Sequence, residues 1–167
     1  MNLEKAGYWA TIITNIPYAI VGYFGDYITF IGGILLCVGS SLMHYTYNST
    51  TNKLDWGSMY IYFFAIFVFV LPLAIPQASL IFLVLCGLSI LSADVVTSNR
   101  AAIGLVVIMT GVVSYALGGN FAIHGMILFS IALAIREWGH TKSLVVRHWT
   151  HSLWHVLTAI ASYLYIL

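Results

Sequence analysis

Five residues of this chain have the types and spacing of a metal-assisted hydrolytic centre. Ser40 and His44 stand four apart in Ser40-Ser-Leu-Met-His44, and His151 and His155 stand four apart in His151-Ser-Leu-Trp-His155. On a helix, residues four apart share a face. Two imidazoles at that spacing can hold one metal ion, and a third completes the three-nitrogen set of a catalytic zinc site with one position left open. Asp55 adds a carboxylate able to hold and deprotonate a metal-bound water. Taken singly, each residue has a plainer reading. A lone His44 near a helix end is interfacial, Asp55 is an N-cap, and Ser40 is a small packing or back-bonding residue. The stronger reading comes from their occurring together in apolar sequence, where ionisable groups are costly and mark functional sites.

The elements that must position them are membrane spans. The chain has 167 residues, 61% hydrophobic and 7% charged, with net charge +1 and mean hydropathy +0.97. A soluble domain carries about 25% charged residues, so a cytosolic enzyme, a nucleic-acid module and a disordered segment are excluded. The expected class is all-α: a polytopic membrane protein, residues 1–167 forming a single domain of seven transmembrane helices with short loops. The apolar segments run about 7–24, 27–47, 56–75, 78–95, 101–118, 121–138 and 147–167. Pro17 and Pro72 are expected to kink the first and third of them.

Seven spans put Lys5, Lys53, Arg100, Arg136, Lys142 and Arg147 on one side and no Lys or Arg on the other. By the positive-inside rule the N-terminus is cytoplasmic and the C-terminus outside. Trp9, Trp56, Trp138 and Trp149 follow the same side as interfacial anchors, with Tyr23, Tyr27 and Tyr115 opposite. His44, Asp55, His151 and His155 then share one depth, with the two final histidines in the first turns of the last span.

The pattern Ser40-x3-His44, Asp55 eleven residues after that His, and His151-x3-His155 resembles the CREST superfamily of seven-span membrane proteins, which includes the alkaline ceramidases and the adiponectin receptors. The last span is the most specific part: His151-Ser-Leu-Trp-His155-Val-Leu-Thr158, continuing to Ser162-Tyr163-Leu164, is similar to the alkaline-ceramidase end motif. Asn15-Ile16-Pro17 is weakly similar to the start of those enzymes. The resemblance implies Zn2+ held by His44, His151 and His155, with Asp55 as general base and Ser40 beside the metal. The implied reaction is hydrolysis of a lipid amide drawn from the bilayer. The ceramidases bind calcium through an acidic N-terminal segment, whereas this chain begins Met1-Asn2-Leu3-Glu4-Lys5-Ala6, so no calcium site is expected. A short N-terminus without a cleavable leader fits a minimal prokaryotic member in the inner (plasma) membrane.

The remaining polar residues read as structural. His124 is either a helix-packing or a cavity residue, and His140 and His148 read as solvated. The Arg136-Glu137 pair reads as interfacial, and Arg147 as an anchor or a headgroup contact. Cys37 and Cys86 are small buried hydrophobes, and Asp26 and Asp94 have no assigned partner. Two other functions fit the same residues: a seven-span receptor with a structural zinc, and a transporter or scaffold without metal.

Overall fold

The computed structural model describes residues 3–46, 48–73, 77–81, 83–84 and 100–167. All regular structure among them is helical: α1 (Leu3–Ile13), α2 (Ile16–Phe24), α3 (Tyr27–Thr46), α4 (Ser49–Val70), α5 (Arg100–Ala116), α6 (Ala122–His140) and α7 (Leu144–Ile166). Residues 77–81 and 83–84 are also helical. The rest of the expected fourth span, with Cys86 and Asp94, lies outside the described residues. By length and composition, α3, α4 and α6 can each cross a membrane. Large apolar side chains such as Val38, Leu42, Ile108, Val112, Ile127 and Ile160 stay exposed along the outer faces.

Proline decides where two helices stop. The expected first span is two helices, because Pro17 lacks an N–H and its ring clashes with the carbonyl four residues back. The break falls at Thr14-Asn15, and α2 restarts with Pro17 in its first turn. Pro72 ends α4 rather than kinking it. Leu71 before it is extended (φ −78°, ψ 139°), as the residue preceding proline prefers.

Two caps extend or start helices. Asp26 accepts from the Thr29 backbone N–H (2.8 Å) while Thr29 Oγ1 accepts from the Asp26 N–H (2.7 Å), giving Asp26 a role at the start of α3. Asn48 and Thr51 form a reciprocal box ahead of α4, with Thr51 N–H donating to Asn48 Oδ1 at 2.9 Å. The true N-cap is therefore Asn48. Asp55, with the plainer reading of N-cap, instead lies about two turns inside the helix.

The last helix is the spine. α7 packs against α6, α1, α2, α4 and α5, while α3 packs against α4, α2 and α1. Its buried stripe contains His155, Thr158, Ser162 and Tyr165. Thr158 and Ser162 donate to their own helix, to Trp154 O (2.7 Å) and Thr158 O (2.8 Å), so small polar residues pack inside without loss. Trp56 is also in the core, 9% exposed, and is not the interfacial anchor expected; Trp9, Trp138 and Trp149 are exposed.

Glycine sets the closest approach of α2 and α3: a Cβ on Gly33 would lie 2.4 Å from Tyr18 O. That contact is with backbone, so the helices themselves must separate to admit it. We expect Gly33→Ala to cost toward the upper part of about 1–3 kcal/mol for overpacking, outweighing the helix-propensity gain of at most about 1 kcal/mol. Gly57→Ala, which meets nothing within 4 Å, should be neutral or stabilising. Thermal unfolding in detergent separates the two signs, and equal melting temperatures for both variants would refute the close-packing account.

Candidate functional site

Three helices bring the candidate residues together. α3 delivers Ser40 and His44 from its last two turns, α4 delivers Asp55, and α7 delivers His151 and His155. All five line one cavity of about 540 Å³. α7 begins at Leu144, so its histidines lie about two and three turns inside it, deeper than the first turns the sequence suggested. Ser40, Asp55 and His155 are buried, at 2%, 5% and 3% exposure.

The imidazoles form a compact triangle. Ring centroids lie 4.9 Å apart for His44–His151, 5.6 Å for His44–His155 and 4.6 Å for His151–His155. One nitrogen from each can be chosen so that all three lie within 4.8 Å of one another. Three nitrogens at about 2.0–2.1 Å from one tetrahedral zinc ion stand about 3.4 Å apart, so the longest separation in the set must shorten by up to about 1.4 Å to close on a metal. His44 Nε2 is buried without a hydrogen-bond partner, a state that is costly unless something fills it. The residues therefore fit a metal, and three neutral imidazoles suit a divalent transition ion.

The first helix adds an outer layer that the sequence did not reveal. The Thr11 backbone accepts a hydrogen bond from the His155 ring, and Thr14 Oγ1 lies 3.3 Å from His155 Nδ1. An imidazole engaged at one nitrogen is held in a fixed orientation and presents the other to a metal. Thr11 in turn is tied to α7 through Ser152 Oγ, 3.1 Å from its hydroxyl. Asn15 Nδ2 donates to the Thr11 carbonyl at 3.2 Å. Threonines in an apolar segment carry no distinctive signal, so nothing in the sequence pointed to Thr11 or Thr14.

Asp55 is buried with one oxygen left open. Ser40 is its hydrogen-bonding neighbour, while Asp55 Oδ1 is buried with no partner. An acceptor so placed favours a donor brought in by a ligand. The pairing with Asp55 also differs from the sequence picture of Ser40 as a group beside the metal alone.

Several secondary readings change. His140 and His148, expected to be solvated, are both half-buried in the cavity wall. The His140 ring lies 6.5 Å from His151, and the His148 ring 6.2 Å from Tyr8. Arg136, expected at the interface, also lines the cavity, its side chain 11% exposed. His124 is exposed beside Phe121 at the far end of α6, its ring 6.1 Å away. Cys37 is half-buried with a free thiol.

No family model, curated protein or solved structure matches this chain.

Purified protein should carry about one bound metal ion per chain, identified by mass spectrometry, and His151→Ala should reduce it to background. Thr14→Val keeps the shape but removes the hydroxyl beside His155. It should weaken zinc affinity by about tenfold or more, read by competition with a chromogenic chelator. Unchanged affinity would remove Thr14 from the outer layer.

Proposed function

We propose that this chain is a zinc-dependent intramembrane hydrolase of lipid amides, similar to the ceramidase branch of the CREST superfamily. The observation that carries this reading is one cavity. It holds three convergent imidazoles, a buried carboxylate with an unpartnered oxygen, and apolar walls that include Leu36, Met59, Ile103 and Phe129. Such a cavity matches an amphiphile, with a polar reacting centre at one end and room for an acyl chain at the other.

His44, His151 and His155 would hold the zinc and leave one position open. Zinc supplies Lewis acidity there, lowering the pKa of water and polarising an acyl carbonyl. Asp55 accepts the proton of the attacking water at Oδ1 and returns it to the leaving nitrogen. Water's oxygen bonds to the carbonyl carbon, the C–N bond breaks, and a fatty acid and an amine result. Ser40 orients Asp55 at rest. Once Asp55 is protonated, the Ser40 hydroxyl is released to donate to the oxyanion.

The bilayer setting belongs to the same proposal. Seven apolar segments would cross the inner membrane of a bacterium, and α3, α4 and α6 have the length and composition for it. Lys5, Lys53, Arg136, Lys142 and Arg147 lie toward the helix ends that carry the site, which supports a cytoplasmic N-terminus and a site opening toward the cytoplasm.

Hydrolysis of a fluorogenic long-chain N-acyl amide in mixed micelles tests the assignment. Asp55→Asn should lower kcat by about 10²–10⁴-fold and Ser40→Ala by about 10²-fold, both with zinc content intact. Turnover in Asp55→Asn equal to that of the starting protein would leave only a structural metal site, as in a receptor.

A further inference from the structure

Arg136 is placed as no anchor is. It belongs to α6, yet its guanidinium carbon lies 5.6 Å from the centroid of the Trp154 ring on α7. Trp154 immediately precedes His155, so the charge stands at the level of the imidazole triangle. Electrostatic influence of Arg136 extends to Asp55, His151 and His155. A largely buried arginine in a membrane helix is costly and marks function. Gly139 helps hold it there: a Cβ at that position would fall on Thr150 Oγ1, so α6 and α7 pack closely next to Arg136.

Its carboxylate partner stands at the cavity rim. Arg136 Nη1 meets Glu137 Oε1 at 2.5 Å, but Glu137 is 48% exposed. Neighbouring residues on a helix do not face each other, so Glu137 reaches back from the rim to make this pair. An incoming anion can take the place of the more exposed Glu137 carboxylate and keep the guanidinium paired. Arg147 lines the same cavity, with Nη2 donating to His140 O at 3.2 Å. Two arginines thus line a cavity that also has apolar walls.

We infer that Arg136, with Arg147, recognises an anionic group, carboxylate or phosphate, on the headgroup of the lipid that enters this cavity. Guanidinium binds both anions in bidentate fashion. The inference deepens the hydrolase reading: the substrates are N-acyl lipids with a charged headgroup, and neutral N-acyl alcohols are disfavoured. Anion binding itself does not depend on the bond being cleaved.

The test compares three ligands of one acyl chain on the zinc-loaded, detergent-purified full chain: N-oleoylglycine, N-oleoyl phosphoethanolamine and neutral N-oleoylethanolamine. Affinity is read from thermal stabilisation during titration, and cleavage from released oleate. The charged ligands should bind at least about tenfold tighter than the neutral one. Whichever of the two charged ligands binds tighter identifies the anion. Arg136→Gln should erase the preference with zinc content retained. Glu137→Gln, which removes the competing carboxylate and needs no loss of arginine, should enlarge it. Equal binding of charged and neutral ligands, or a preference unmoved in both variants, would overturn the inference. Equal cleavage of all three would overturn it while leaving the hydrolase reading intact. Preferential binding of the charged ligands without cleavage would sustain the inference and sink the hydrolase.

Discussion

The structure depends on one constraint: polar groups enclosed by an apolar chain must find their partners inside it. An unpaired buried donor or acceptor costs about 1–3 kcal/mol, and hydrocarbon offers no water to relieve it. α7 answers this along its length. Tyr18 OH lies 2.5 Å from Thr158 Oγ1, Thr11 meets Ser152, and Ser114 Oγ donates to Tyr165 O at 3.4 Å. These contacts tie α1, α2 and α5 to a single helix. Against this pattern the unsatisfied atoms stand out. Tyr62 OH and Tyr165 OH are such atoms away from the cavity, while His44 Nε2 and Asp55 Oδ1 are buried without partners and both line the cavity that holds the imidazole triangle.

The same constraint joins fold to chemistry. The break at Thr14-Asn15 is a proline effect, but it also gives α1 a chain direction independent of α2. α1 then lies along α7, where its Thr11 backbone and Thr14 hydroxyl serve His155. The Asn48 cap has a comparable consequence. By starting α4 at Ser49 it gives Asp55 two turns of regular helix beneath it, so the carboxylate projects from a rigid element instead of a loop. Rigid placement of this kind is what the proposed role of Asp55 as proton acceptor would require.

Polarity within the cavity follows from the helix ends that meet there. The last turns of α3, the first two turns of α4, the first half of α7 and the end of α6 carry the cavity's histidines, Asp55, Arg136 and Arg147, while positions such as Leu36, Met59 and Phe129 are apolar. A gradient from charged to apolar along one cavity is the shape of an amphiphile. It arises because charged side chains are tolerated near helix ends and excluded from the middle of a span.

The helical class and the approximate limits of α3, α5, α6 and α7 were legible in the sequence. Each depends on local composition and a period of 3.6 residues, which need no knowledge of neighbours. The pairing of His151 with His155, and of Ser40 with His44, was legible for the same reason. Tertiary structure alone decided which helix faces meet. It brought His44 to the two α7 histidines, set Ser40 against Asp55, and turned His140, His148 and Arg136 inward where their sequence positions suggested solvent or interface. It also placed Trp56 in the core. Residues such as these sit within a turn or two of a helix end, where local sequence allows either an inward or an outward path. The choice between them was made by close packing at contacts such as Gly139 on Thr150, which belongs to two helices at once and is written in neither.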